Sequence, residues 1–222
     1  FYQKGMSLLD VGCGAGHYLR SLRNRLDEDI NYTGADATDY YIELAKKAFP
    51  QNARFQTEDI FQLSFENDAF DIAMCNNVLL HLPPPPDKAI EQLIRVARKH
   101  VVIRTVFGLR NYIIKEVKEE NELDAPQTAD GDPVSDDVSQ MSFNYFNMYT
   151  SEYLQSIIRS LSPDIQISII NDEMWKSFDN TDANTSLGIK KEGWQTGTKI
   201  LDGNQVSGNL ILDWRFIVLT KA

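Results

Sequence analysis

A short, mostly apolar run spans residues 7–11, and apolar residues then recur at Tyr18, Leu19, Leu22 and Leu26 at helical spacing. A short apolar run stopped by glycines reads as a strand, and the wider spacing reads as a helix over 17–26, so the chain opens strand, tight turn, helix. The pattern returns as a strand over 31–35 and a helix over 39–48, with Ile42, Leu44, Ala45 and Ala48 turned inward before Pro50 and Asn52 close it. Two such units in succession predict a parallel sheet with right-handed crossovers. A third strand over 53–56, a loop over 57–67 and a fourth strand over 70–75 follow. Pro83 to Pro86 then bar regular structure until a helix over 87–98, which presents Ile90, Leu93, Ile94 and Ala97 on one face. Residues 101–105 make the fifth strand, apolar enough to be covered on both sides.

Beyond residue 105 the alternation breaks. The pattern predicts a helix over about 112–120, then an acidic stretch with Asp124, Asp130, Asp132, Asp136 and Asp137, then the aromatic segment Phe143-Asn144-Tyr145-Phe146-Asn147-Met148-Tyr149. So long an interruption, about 106–149, is expected to be a lid-like insertion. Thr150 is placed to cap a helix running to Leu161, with Glu152 in its first turn. Strands over 165–170 and 210–220 end the pattern. An extra segment over about 171–209 lies between them, with Asp202-Gly203 as a hairpin turn flanked by Ile200, Leu201 and Val206. The expectation is one domain, 1–222, of α/β class. Because the chain opens at Phe1 and reaches its first strand by residue 7, an upstream helix is expected to be missing.

Composition narrows the function. With 222 residues and 42% hydrophobic content the chain can bury a sizeable core. A formal net charge of −10 opposes binding to nucleic acid or an anionic membrane through phosphate contacts and favours a small-molecule partner. No apolar run approaches the roughly 20 residues of a membrane helix, so a soluble, cytoplasmic protein is expected, monomer or homodimer. Its 2 cysteines, Cys13 and Cys75, make neither a disulfide framework nor a metal site and are expected to be inert buried thiols. Trp175, Trp194 and Trp214 are expected in the core or at its rim, and the acidic stretch 124–137 as a solvated loop with no metal.

The loop Asp10-Val11-Gly12-Cys13-Gly14-Ala15-Gly16 carries the strongest chemical signal. Glycines there allow a sharp turn and let a ligand approach backbone amides at a helix start. A dinucleotide fingerprint would put its third glycine at position 17, where His17 stands, which weakens a nicotinamide or flavin reading. Asp36, ending the second strand, could accept hydrogen bonds from two ribose hydroxyls. Nicotinamide enzymes use the same device, and a helix-capping aspartate is the plain alternative.

With Gly34-Ala35-Asp36, Glu58-Asp59-Ile60, Phe70-Asp71-Ile72-Ala73 and Asn77-Val78-Leu79-Leu80-His81-Leu82-Pro83 following in order, the chain resembles the class I S-adenosylmethionine-dependent methyltransferases, in particular the ubiquinone/menaquinone-type small-molecule group. The resemblance covers residues 7 to about 105. It implies a three-layer α/β/α sandwich around a seven-stranded sheet of order 3-2-1-4-5-7-6, last strand antiparallel. It also implies S-adenosylmethionine as cofactor, S-adenosylhomocysteine as product, and a small-molecule methyl acceptor. Asp10, Gly12, Cys13, Gly14, Gly16, Asp36 and Ala37 would hold the cofactor, with Asp59 and the Ile60 amide at its adenine and Asn76 and Asn77 at its methyl-donor end. His81, just beyond the fourth strand, is a candidate base or a substrate-positioning residue, and Tyr145 and Tyr149 are candidates for a substrate wall. The absence of an Asn-Pro-Pro-Tyr word after the fourth strand opposes exocyclic-amine acceptors, and O-methylation of a sugar or hydroxylated metabolite is preferred. A non-catalytic scaffold of the same fold and a nicotinamide-dependent oxidoreductase remain the alternatives.

Overall fold

The computed structural model describes residues 1–117, 143–173, 198–201, 204–207 and 210–221. Strands β1 (Ser7–Val11), β2 (Asn31–Asp36) and β3 (Ala53–Thr57) alternate with helices α1 (Leu19–Arg25) and α2 (Asp39–Ala48). Strand β4 (Phe70–Asn76), a short 3-10 turn (Leu79–His81), α3 (Asp87–Val96) and β5 (Ala97–Phe107) follow. Next come the short strands β6 (Lys115–Val117) and β7 (Phe143–Tyr145), α4 (Ser151–Leu161) and β8 (Gln166–Asn171). Strands β9 (Thr198–Leu201), β10 (Asn204–Ser207) and β11 (Leu210–Thr220) complete the order.

The β3-β2-β1-β4-β5 portion is parallel throughout, and β11 runs antiparallel beside β5. The outer edge of β11 is shared. Residues Arg215–Thr220 pair with β8, and Leu210–Leu212 pair with β10, which in turn pairs with β9. The predicted order therefore stands for seven strands, but the sheet has nine among the described residues. The added pair is the hairpin anticipated around residues 202–203, whose turn residues themselves lie outside the described ones.

Helices cover both faces of the sheet. Leu9, Val11, Ala73, Cys75, Val101 and Ile103 pack on one side with Ile90, Leu93 and Ile94 of α3 and Leu154 and Ile158 of α4. Leu8, Ile72 and Met74 pack on the other with Leu19 of α1 and Ile42 and Ala45 of α2. Neighbouring strand residues thus enter opposite cores, which is why β1 and β4 are apolar almost without alternation. Thr150 caps α4 as expected, its hydroxyl accepting the Tyr153 N–H at 3.2 Å.

Three boundaries differ from the sequence reading for physical reasons. Helix α1 starts at Leu19 rather than 17 because Gly12, Gly14 and Gly16 hold positive φ and the following residues close single turns, Gly16 N–H to Cys13 O at 3.0 Å and Leu19 N–H to Gly16 O at 3.2 Å. Helix α3 stops at Val96 because Ala97 already pairs with Phe70. The helix expected over about 112–120 is absent from its described part: Tyr112 exchanges backbone hydrogen bonds with Met148 at 2.8 and 3.0 Å, and Lys115–Val117 pair with Phe143–Tyr145. A distant aromatic segment supplies a partner strand that local periodicity cannot anticipate. The acidic stretch 124–137, Trp175 and Trp194 lie outside the described residues.

Leu93 is fully buried beneath the sheet and Leu109 is 100% exposed. Leu93→Ala is expected to cost about 2–5 kcal/mol, and Leu109→Ala less than about 0.5 kcal/mol, measured by thermal or denaturant unfolding.

Candidate active site

The carboxyl ends of β1, β2 and β4 converge on the glycine loop. Gly12, Gly14 and Gly16 have φ of 78°, 52° and 80°, a region that costs a side chain dearly. The surroundings forbid side chains as well: a Cβ on Gly12 would lie 2.1 Å from Val78 Cγ2, and one on Gly16 would lie 2.8 Å from the Phe49 ring. The amides of Gly12 and Cys13 both donate to Ala35 O, at 2.7 and 3.0 Å, which draws the loop against the end of β2.

Asp36 completes this anchor. Its Oδ2 accepts the Gly14 N–H at 2.9 Å and its Oδ1 the Thr38 N–H at 3.0 Å. Each carboxylate oxygen keeps further lone-pair capacity. Ala37, the next residue, is exposed.

Asp10 is 1% exposed. The Tyr32 hydroxyl donates to its Oδ2 at 2.7 Å, while Oδ1 is buried with no hydrogen-bond partner among the described residues. Burial, reinforced by the nearby Asp36 charge and opposed by the Tyr32 hydrogen bond, raises its pKa to about 7. Across the strand pair, Asn76 at the end of β4 also buries an unpartnered oxygen, Oδ1. Among the described residues these are unsatisfied acceptors on two adjacent strands, each suited to a hydrogen-bond donor and a cationic one best of all.

Asn77 adopts the left-handed conformation, φ 62°, and its amide donates to Arg104 O at 2.9 Å. Its side-chain oxygen accepts from Arg104 and its Nδ2 donates to the Tyr18 hydroxyl at 3.3 Å. Beyond β3, Asp59 is exposed and turns its Oδ1 to the Phe61 N–H at 2.9 Å, whereas Ile60 is buried at 7%. Cys13 and Cys75 are free and buried, and burial pushes both thiols upward, away from the reactive thiolate.

His81 ends the 3-10 turn with its ring exposed. Its Nδ1 lies 2.9 Å from the Tyr145 carbonyl oxygen, and the ring meets Phe146 edge-on at 6.0 Å. Asn147 stitches the same aromatic segment to the turn: its N–H donates to Leu80 O and its Nδ2 to Leu82 O, both at 2.7 Å. Tyr145 is half-buried beside His81. Tyr149 is not a free wall of this space; it is 2% exposed, stacked on Tyr153 at 5.6 Å and packed with Phe107 and Leu154, because Gly108 N–H binds its carbonyl and draws it into the core.

Sequence reasoning passed over Arg104, Asp172, Tyr18 and Val78. The one available signal was an arginine inside an otherwise apolar fifth strand, since a charge there is buried and needs partners.

A family model described as a methyltransferase domain matches residues 2–160. The chain is similar to a ubiquinone biosynthesis O-methyltransferase of Coxiella burnetii, 35% identical over 85 residues that cover 37% of this chain and 35% of that protein. It is also similar to a sterol 24-C-methyltransferase of Clavispora lusitaniae, 24% identical over 180 residues, 77% of this chain and 44% of that protein. The chain thus spans less than half the length of these relatives. The crystal structure of a SAM-dependent methyltransferase from Methanosarcina mazei superposes with a TM-score of 0.60 over 100% of this chain and 94% of that one, and at 16% identity this speaks for the fold. Since the family model takes in the whole glycine loop, all the strands that converge on it and the helices packed against them, the chain belongs to the methyltransferase-domain family, in the class I S-adenosylmethionine-dependent group.

Proposed function

We propose that this chain, as a single domain, binds S-adenosylmethionine and transfers its methyl group to a hydroxyl of a small molecule, a sugar or hydroxylated metabolite by preference. The observation that carries the cofactor reading is the pair of buried, unpartnered oxygens on Asp10 and Asn76. A buried carboxylate with one oxygen left unpaired is costly, and the ammonium group at the amino-acid end of S-adenosylmethionine would supply the second partner. The same carboxylate disfavours a nicotinamide dinucleotide, whose pyrophosphate would meet like charge at the loop. It also disfavours a scaffold without ligand, which would keep Asp10 half-satisfied for no return.

The other residues fit in turn. Asp36, fixed by two backbone amides, has lone pairs left for ribose hydroxyls. The glycine loop, with Gly12, Cys13, Gly14 and Gly16, and Ala37 beside it would line the nucleoside; Asp59 and the Ile60 amide would meet the adenine; Asn77 would border the methyl-donor end. When bound, the cofactor supplies a methyl carbon made electrophilic by its sulfonium.

The chain's own work is to hold the acceptor in line and receive its proton. The Tyr145 carbonyl can only accept a hydrogen bond, so His81 Nδ1 donates to it, and in the neutral ring Nε2 is left with the lone pair. That nitrogen is the atom to take a hydroxyl proton, with Tyr145 alongside as part of the acceptor wall. The likeness to an enzyme named for O-methylation supports a hydroxyl acceptor.

Calorimetric titration with S-adenosylmethionine, S-adenosylhomocysteine and NAD is expected to give micromolar binding of the first two and none of NAD; no binding of either sulfur nucleoside would sink the reading. Asp10 has its folded pKa raised, so its protonated form favours the free protein, and the stability it contributes is full below about pH 4 and is lost as pH rises through about 7. A cationic ligand needs the ionised form. Affinity for S-adenosylmethionine is therefore expected to rise between about pH 5 and 7 and level off above, and Asp10→Asn should weaken binding and flatten that profile.

Asp36→Ala should weaken cofactor binding by about 1.5–3 kcal/mol, and unchanged affinity would remove Asp36 from the site. His81→Ala should slow turnover about 100-fold without altering cofactor affinity; a rise in acceptor KM alone would make His81 a positioning residue.

A further inference from the structure

Arg104 sits at the carboxyl end of β5, paired in register with Asn76 of β4, and is 7% exposed. Its guanidinium serves three partners. Nε donates to Asp172 Oδ2 at 2.7 Å and a terminal nitrogen reaches the same oxygen at 2.5 Å. The other terminal nitrogen donates to Asn77 Oδ1, and the guanidinium carbon lies 4.2 Å from the centroid of the Trp214 ring. The Arg104 backbone carbonyl binds the Asn77 amide as well. One residue thus grips Asn77 by main chain and side chain together, while Asp172, just past β8, and Trp214 of β11 brace the guanidinium from behind. Asp172 is itself tied to β11, its N–H donating to Trp214 O at 3.0 Å.

A buried ion pair is weak evidence of stabilisation, because desolvation offsets much of the attraction. Specification of geometry is the better account here. Asn77 holds a left-handed backbone that a residue with a side chain adopts reluctantly, and such a conformation persists only where the surroundings over-determine it. That turn decides the direction in which the chain leaves β4. Immediately afterwards Val78 is set against Gly12, and three residues later comes His81. Asn77 also holds the Tyr18 hydroxyl, which follows the glycine loop, so its orientation bears on the end of that loop as well.

We propose that Arg104, braced by Asp172 and Trp214, is a positioning residue that holds Asn77 in its left-handed turn and thereby sets the placement of Val78 over the glycine loop and of His81 at the acceptor. Its effect on turnover rests on the methyltransferase reading given above; its effect on the turn does not.

Two variants separate positioning from mere support. Arg104→Lys keeps a positive charge for Asp172 and gives up the fork that reaches Asn77. The double variant Arg104→Met with Asp172→Leu replaces the buried pair by apolar groups, a change that folded proteins tolerate well. Amide exchange at Asn77 and Val78 on the ligand-free proteins, unfolding temperature, S-adenosylmethionine affinity and kcat on a methyl acceptor would be compared with the parent. Both variants are expected to fold, to exchange the Asn77 amide at least tenfold faster, and to lose at least tenfold in kcat with a cofactor Kd changed less than threefold. A kcat or an Asn77 exchange rate equal to the parent's in a folded variant overturns the proposal, and so does a fall in unfolding temperature alone. Absence of S-adenosylmethionine binding by the parent protein would instead overturn the functional reading, leaving the exchange result to decide the turn.

Discussion

Because β1 is hydrogen-bonded in parallel to β2 on one edge and β4 on the other, it ends in the middle of the sheet, and its chain must turn sharply between neighbouring strands. That constraint orders the rest of the site. The turn has room only for glycines, since Val78 and Phe49 stand where side chains at 12 and 16 would go. The amides of Gly12 and Cys13 find their acceptor on β2, and Asp36 takes the Gly14 amide. The loop is thus held by the strand that follows it, and the ends of β1, β2 and β4 become one surface. Ligands collect at such carboxyl ends in open α/β sheets for this reason.

Two charges are buried near that surface and are handled in opposite ways. Arg104 is surrounded by Asp172, Asn77 and Trp214, so its charge is compensated and its geometry fixed. Asp10 has the Tyr32 hydroxyl on one oxygen and no described partner on the other, and burial raises its pKa to about 7. Full compensation gives rigidity. Partial compensation leaves an acceptor open to a further donor, which no described residue supplies.

The segments on either side of residues 118–142 join this arrangement through backbone pairing. Phe143–Tyr145 form a ribbon with Lys115–Val117, and Asn147 ties the segment to the turn that carries His81. The Tyr145 carbonyl fixes which nitrogen of His81 bears the proton. A main-chain atom, indifferent to the identity of its own side chain, thereby orients a side chain 64 positions away.

The parallel core was legible in the sequence because a strand covered on both faces must be apolar throughout, as β1 and β4 are, and because α2 and α4 carry their own periodicity and, for α4, its cap at Thr150. The glycine loop was legible for the same local reason: positive φ selects glycine whatever lies around it. Tertiary structure alone decided the strand at Lys115–Val117, whose partner lies beyond residue 142, and the burial of Tyr149, whose aromatic pattern suits a wall and a core equally well. It alone left Asp10 Oδ1 without a partner among the described residues and brought Arg104 to Asn77. Periodicity and turn chemistry are written residue by residue, whereas satisfaction of a buried polar atom depends on every group that folding brings near it, and no single stretch of chain contains that information.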